Sequence, residues 1–521
     1  MEKIFTPSAE QSKFLDWVAN GTGSAVLEAV AGAGKTTTLV EAVKLMKGSV
    51  FLGAYNKKIA DELKERLSGM VGKKAGTFHS AGYSALWRSN NDIKIEEHKV
   101  DDIVRPMVEN TEYEISEFIT AVKKLVSLAK QTGFYVNSII PNVQRRFYVE
   151  LINRYDIADS LPEGDFYENA LPEYADRVLR ESNARRDIID FDDMVYLPLL
   201  WNLRLFKNDW VLIDEAQDTN AVRRELASRM LRHGGRLVAV GDPHQAIYGF
   251  TGADNESLEL IKRKFNAITL KLSVSWRCPR SVVAAAQEYV DHIHAADTAP
   301  EGVVSSVTYK AMLKTVKPGD AVICRFNAPL IELCFKLIRE GKPAKIEGRA
   351  IGEGLAALAG RWKLKTVNQL EARLKLWHEK EIAKLEASKN RDEGKIQRQE
   401  DKFFTMTILI DRARENSITE LETFKAMILD MFADVGASKG LIVLSSVHRS
   451  KGLEWENVHI LGRRELMPST RVSQEWQMQQ EINLCYVAVT RAKVALIDVA
   501  MPTPKDLERP KKEEKEAEEA K

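Results

Sequence analysis

The sequence predicts an α/β fold of two parallel-sheet domains in tandem, each interrupted by a mainly helical insertion. Three observations carry this. Short apolar runs alternate with helix-patterned segments, the grammar of a parallel sheet with helical crossovers. Two stretches, 86–184 and 350–437, lose that alternation and carry apolar residues at helical spacing instead. At 521 residues the chain exceeds one hydrophobic core, so two to four domains are expected.

The first run, "SAVLEAV" (24–30), has no helical periodicity and reads as a buried strand. The loop within "AVAGAGKTTTL" (29–39) follows, and then Leu39, Val43 and Met46 fall on one face of a helix. Strand, glycine loop and helix make a phosphate cradle of Ala29, Val30, Ala31, Gly32, Ala33, Gly34, Lys35, Thr36 and Thr37. Backbone N–H groups of Gly32, Ala33, Gly34 and Lys35 can point at an anion, helped by the positive end of the helix. Lys35 would reach the β- and γ-phosphates of a nucleotide, and the Thr36 hydroxyl would sit on Mg²⁺. The usual pattern begins with glycine, and Ala29 stands there instead.

"GSVFLGAY" (48–55) and "KKAGTFH" (73–79) read as strands, with "NKKIADELKERL" as the helix between them. The helical insertion 86–184 is charge-rich and poor in glycine, as in "ISEFITAVKKLVSLAKQ". Strands return at 209–214, 235–242, 305–310, 320–325, 440–447, 457–461 and 493–500. In the second insertion Val367, Leu370, Leu374 and Trp377 keep helical spacing. Ser417 to Glu420 reads as a capping box that opens a further helix. The charged run 384–402 is expected as a solvated helix face or a helix–helix turn, and 506–521 as a disordered tail.

Composition bounds the function classes. Hydrophobic residues make up 44% and charged residues 29%, the balance of a soluble globular protein. No apolar run approaches spanning length and "MEKIFTPSAEQ" has no secretory pattern, so a cytoplasmic protein without membrane contact is expected. Cys278, Cys324, Cys334 and Cys485 are scattered, which argues for a reducing compartment and against a zinc site. Net charge is +1, so bulk charge gives no case for nucleic-acid binding; a local basic groove would be needed.

Chemistry concentrates in a few motifs. "WVLIDEAQD" (210–218) is an apolar strand ending in two carboxylates. Asp214 can hold Mg²⁺, and Glu215 can orient and deprotonate an attacking water. "VGDPHQAIYGFTGAD" (240–254) places Gln245 after a strand of the same sheet, where it could sense a γ-phosphate. Tyr248 and Phe250 follow it, aromatics of the kind on which single-stranded bases stack. "SWRCP" (275–279) and "YVAVTRAK" (486–493) each carry one arginine, Arg277 and Arg491, able to stabilise charge on a transferring phosphoryl group.

Taken in order, Gln11, AVAGAGKT, AYNKK, TFHSAG, LIDEAQD, GDPHQAIYGF, SWRCP, SSVHRSKGLEW and NLCYVAVTRA resemble the UvrD/Rep/PcrA-type helicases of superfamily 1. The resemblance spans residues 11 to 493. It implies two RecA-like P-loop motor domains, 1–85 with 185–270 and 271–349 with 438–505, an ATP site with Mg²⁺ in the cleft between them, and a second insertion smaller than the family's usual one. It implies that Gln11 reads the adenine edge and Trp276 stacks on adenine. Glu454 would meet the ribose, and Arg277 and Arg491 would be arginine fingers. It assigns DNA contacts to Tyr55, Asn56, His79, Tyr248, Phe250 and His448. Two positions depart from the family: Thr251 stands where arginine is common, and Ala54 where the aromatic beside Tyr55 is usual.

The implied activity is ATP-dependent, 3′→5′ movement on single-stranded DNA with unwinding at junctions. A rival is a DNA-stimulated ATPase that strips proteins or drives a larger complex. A protein partner such as a nuclease or a replication or repair factor would be compatible with either.

Overall fold

The computed structural model describes residues 5–136, 144–158, 161, 165–249, 252, 256–347, 349–386, 393–431, 440–470, 472 and 474–503. Phe250, Thr251 and the tail 506–521 lie outside them. Contacts divide the chain into two units, one running to Val274 and the other starting at Ser275.

In chain order the first unit holds β1 (Ala25–Ala29), β2 (Val50–Ala54) and β3 (Lys73–Thr77). A short pair, β4 (Lys94–Ile95) and β5 (Ile188–Ile189), is followed by β6 (Asn208–Ile213), β7 (Leu231–Gly241) and β8 (Ile268–Leu272). The main sheet is parallel throughout, in the order β3-β2-β6-β7-β1-β8. Strands buried on both faces read as unbroken apolar runs, which is why Ala25, Val26 and Leu27 are all fully buried. α1 (Ala9–Asn20) precedes β1, and α2 (Lys35–Leu45), α3 (Lys57–Arg66) and α4 (Phe78–Ser89) follow β1, β2 and β3. The insertion supplies α5 (Lys99–Val108), α6 (Ser116–Thr132), α7 (Gln144–Arg154) and α8 (Asp165–Ala184), and α9 (Asp193–Leu200) and α10 (Ala221–Arg229) follow.

The insertion is not a separate body. Phe118, Val122 and Leu125 belong to the same buried cluster as Val211, Ile213 and Leu237 of the sheet. A buried ion network joins them as well. Lys99 Nζ lies 2.6 Å from Asp193, and Lys130 Nζ lies 2.7 Å from the same carboxylate and also binds Asp190.

The second unit carries six strands in the order Val303–Val307, Ala492–Val499, Trp455–Leu461, Ala321–Cys324, Ile442–Ser446 and Ala344–Ile346, every described pairing parallel. Its insertion helices, Arg349–Gly360, Val367–Glu386, Glu393–Glu415 and Leu421–Met431, share a core with that sheet through Leu370, Leu409 and Phe424. The charged run 384–402 thus joins two helices across 387–392, residues outside those described. All four cysteines are buried and none forms a disulfide. Among the described residues no helix is long and apolar enough to cross a membrane.

Several expected boundaries need correction. The cut at 85 falls inside α4, the cut at 270 inside β8, and the cut at 349 at the first residue of helix Arg349–Gly360. The strand expected over 73–79 ends at Thr77, because the Thr77 hydroxyl accepts the Ser80 N–H at 3.1 Å and turns the chain into α4. The strand expected over 305–310 is Val303–Val307, because Thr308 caps the helix Tyr309–Thr315. No capping box forms at Ser417. That residue takes a left-handed backbone at φ 55°, Glu420 bridges to Thr366, and the helix opens at Leu421.

Candidate nucleotide and DNA site

The phosphate loop lies between β1 and α2. Gly32 and Gly34 take left-handed φ values of 74° and 76°, which only glycine adopts freely. Ala29, Val30, Ala31 and Ala33 are buried to 3% exposure or less, so what they can offer a ligand is backbone. Lys35 opens α2, and Thr36 stands half-buried in its first turn. Thr37 is exposed and Thr38 fully buried, its hydroxyl bonded to the Gly34 carbonyl at 2.9 Å.

Sheet order brings the other motifs to this loop. β7 lies between β1 and β6, so its end at Gly241 and Asp242 is flanked by the phosphate loop and by Asp214. Asp214 is 5% exposed, and burial together with the neighbouring Glu215 charge pushes its carboxyl up to about 7. Glu215 takes a left-handed φ of 50°, a strained conformation for a non-glycine, and its N–H binds Asp214 Oδ1 at 3.0 Å. Glu215 Oε1 lies 3.8 Å from Lys35 Nζ.

A hydrogen-bond chain runs from this pair to the next loop. Gln217 Nε2 donates to Glu215 Oε2, and Gln217 Oε1 accepts the Asp242 N–H at 3.1 Å. Gln245 Nε2 donates to Asp242 Oδ2 at 2.7 Å. Gly241 permits this packing: a Cβ there would meet Gln217 Oε1 at 2.3 Å. Gln217 and Asp242 were not among the expected site residues. Both stand inside the quoted motifs, but their role depends on β6 and β7 being neighbours. Gln11 sits beside the loop with its amide engaged at both ends, Oε1 accepting the Ser8 N–H at 2.9 Å and Nε2 donating to Thr38 Oγ1 at 2.9 Å.

The candidate DNA residues of the first unit form a second cluster. Tyr55 and Tyr248 stack with centroids 5.8 Å apart and planes 12° from parallel. Tyr248, expected as an exposed aromatic, is half-buried in this stack. Arg223 lies over the Tyr55 ring at 5.7 Å. Tyr55, His79, Asp192, Asp218 and Arg223 line one pocket of about 190 Å³. Burial, with the charge of Asp218 next, raises the Tyr55 hydroxyl to about 12, and burial and Arg223 push His79 down to about 4. Ala54 is 2% exposed and ends β2, which leaves Tyr55 as the aromatic beyond the strand tip. Asn56 caps α3, its side-chain oxygen accepting the Ile59 N–H at 2.9 Å. Phe250 lies outside the described residues.

In the second unit Trp276 is 52% exposed. Arg277 Nε donates to Glu454 Oε2 at 2.6 Å, and Lys493 lies 3.5 Å from the same carboxylate. Burial works to raise the Glu454 carboxyl, but Arg277 and Lys493 hold it below the usual range. Arg491 is 1% exposed and donates to the carbonyls of Val487 and Leu453. His448 lies beside Arg325 and Lys451, and burial first, then those charges, push it down to about 3.

The UvrD/REP helicase N-terminal domain family matches residues 10–266, and the UvrD-like helicase C-terminal domain family matches 441–497. The two segments together cover more than half of the chain. The chain is 26% identical over 296 residues to ATP-dependent DNA helicase Rep of Buchnera aphidicola subsp. Schizaphis graminum, covering 52% of this chain and 42% of that protein. It is 24% identical over 522 residues to F-box DNA helicase protein 1 of Schizosaccharomyces pombe, covering 94% of this chain and 57% of that protein. It is 24% identical over 607 residues to a probable DNA helicase II homolog of Mycoplasma genitalium, covering 93% and 84% respectively. The chain therefore spans 42% and 57% of the lengths of the first two relatives.

Proposed function

We propose that this chain, which belongs to the UvrD/Rep family of superfamily 1 helicases, is an ATP-dependent motor that moves on single-stranded DNA and separates duplex strands. The observation that carries the reading is the chain of contacts Gln245–Asp242–Gln217–Glu215–Lys35. It ties a loop bearing an aromatic to the carboxylate and ammonium of a phosphate loop.

In this reading Lys35 neutralises charge on the β- and γ-phosphates, and Glu215 takes the proton of the attacking water. Gln245 lies within the same relay and reports the state of the γ-phosphate to Tyr248. The oxygen donors Thr36 and Asp214 suit Mg²⁺, and the two adjoining carboxylates beside one ammonium leave negative charge for a cation to meet. When bound, that ion would supply further charge neutralisation at the phosphates. Arg277 and Arg491 act on the transferring phosphoryl group, Trp276 and Gln11 on the adenine and Glu454 on the ribose. Tyr55, Asn56, His79, Tyr248, Phe250 and His448 contact the strand. The two RecA-like motor domains correspond to the two units, and movement is 3′→5′.

Strand displacement on duplexes with a 3′ or a 5′ single-stranded tail tests this. Unwinding from the 3′ tail alone supports it, and unwinding from the 5′ tail alone reverses the polarity. ATP-driven movement along single strands without displacement would favour the protein-stripping translocase.

A further inference from the structure

The first unit carries a second cluster of cations and aromatics at the opposite edge of its sheet from the phosphate loop. Phe206 is 64% exposed and Trp87 52% exposed. The Arg88 guanidinium lies 3.8 Å from the Phe206 centroid and donates to the Arg204 carbonyl at 3.0 Å. Lys74 Nζ approaches the same ring at 5.8 Å. Arg186 lies over the half-buried Trp201 at 5.3 Å, and its carbonyl accepts the Asn90 amide at the end of α4.

Lys74, Arg88, Arg186 and Arg204 are exposed, and none is ion-paired with a carboxylate among the described residues; Lys207, also exposed, has its Nζ held by the Arg229 carbonyl at 2.6 Å. Of the carboxylates near them in the chain, Asp209 is taken by Arg232 and Ser49, and Asp92 and Asp187 leave the patch with excess positive charge. In a chain of net charge +1 this is a local concentration of unpaired cations. Single exposed apolar residues are ordinary, but large aromatics interleaved with unpaired cations are not.

Strand direction places the patch. Lys74 is the second residue of β3, whose other end leads to His79, and Phe206 and Lys207 precede β6, whose other end carries Asp214. Trp87 and Arg88 close α4, which runs from His79 over roughly 18 Å for its 12 residues. The patch therefore lies apart from both the phosphate loop and the Tyr55–Tyr248 pocket.

We infer that the patch formed by Phe206, Trp87, Arg88, Arg204 and Lys74 is a second contact for single-stranded nucleic acid. Exposed ring faces take unpaired bases without regard to sequence, and the guanidinium and ammonium groups around them take the phosphates between those bases. An acidic peptide would use the charges but would leave the planar rings unsatisfied. The site extends the length of strand held by the first unit.

The test compares binding of a short strand, about 10 nucleotides, with one several times longer. The full chain is used as wild type, Phe206→Ala and Arg204→Gln, with fluorescence anisotropy over a salt series. The Arg204 side chain makes no described contact, so its change leaves the fold intact. Wild type should bind the long strand more tightly and with a steeper salt dependence. Phe206→Ala should weaken long-strand binding by at least about fivefold, the low end for one stacked base. Arg204→Gln should lower the long-strand salt slope by about 0.7, one phosphate contact. Short-strand binding should not change in either. Equal effects on both lengths, no effect on the long strand, or an effect seen only when the added length is duplex would overturn the assignment. Because the readout is binding, a wild type whose ATPase ignores DNA would sink the motor reading and leave this result standing.

Discussion

Tyr55 and Tyr248 stack ring on ring, 5.8 Å between centroids, with the Arg223 guanidinium beside the Tyr55 ring. They come from different loops, one after β2 and one beyond β7. A base on the outer face of Tyr248 would extend a stack in which Tyr55 is the next ring. Tyr248→Ala should weaken single-strand binding by about 1–3 kcal/mol and lower DNA-stimulated ATP turnover. Tyr55→Ala should do the same. Titration of the ATPase rate with an oligonucleotide checks both; unchanged half-saturation in either variant would make these rings packing residues.

The relay through Gln217 gives a second prediction. Gln217→Ala removes the link between Glu215 and Asp242, so the ratio of DNA-stimulated to unstimulated ATPase should fall. Gly241→Ala should act in the same direction, since its Cβ would stand 2.3 Å from Gln217 Oε1. A normal stimulation ratio in Gln217→Ala would show that the chain of bonds carries no signal.

At the phosphate loop, Glu215→Gln should lower the turnover number by about 10²–10⁴, the usual contribution of a general base, and still bind nucleotide. Arg277→Ala should reduce kcat far more than it raises KM, because its contact strengthens in the transition state. Steady-state kinetics separate the cases, and an Arg277 effect confined to KM would reassign it to binding.

Two histidines set an acid limit. His79 is held down to about 4 and His448 to about 3, both from an ordinary 6.5. The unfolded chain therefore binds protons that the folded chain refuses. The stability these neutral rings contribute is present above pH 6.5 and is lost as pH falls through the folded values. Each group adds a slope of up to about 1.4 kcal/mol per pH unit within its window. His79→Gln should flatten the loss of Tm between pH 7 and pH 5, and an unchanged pH profile would contradict the assignment.

The insertion's ion network predicts a stability defect away from the site. Lys130 is fully buried and serves Asp190 and Asp193. Lys130→Met leaves two buried carboxylates undercompensated, which should cost about 3–5 kcal/mol in chemical denaturation. A loss below about 1 kcal/mol, the scale of an exposed pair, would mean that water reaches the network.

Much of this was legible where function rests on local chemistry. The strand, glycine loop and helix around Lys35, and the strand that ends before Asp214 and Glu215, follow from local residue types. What stayed hidden depends on distant partners. Gln217 and Asp242 meet only because β6 and β7 are adjacent. β8 (Ile268–Leu272) alternates apolar and polar residues, a strand pattern that the sequence reading does not use; it pairs with β1 at the sheet edge. Ser417 had the pattern of a cap, but the bridge between Thr366 and Glu420 fixes the helix start at Leu421 instead. The Phe206 patch gives no signal either, because its cations and rings come from three separate segments.

In the proposed motor, a single strand at the Tyr55–Tyr248 pocket drives chemistry at Lys35 and Glu215. The most direct measurement is the ATPase rate of the full chain with and without mixed-sequence single-stranded DNA. Stimulation should be indifferent to base sequence and decline with salt as phosphate contacts release counterions. A rate that single-stranded DNA leaves unchanged, at concentrations where binding is saturated, would contradict it.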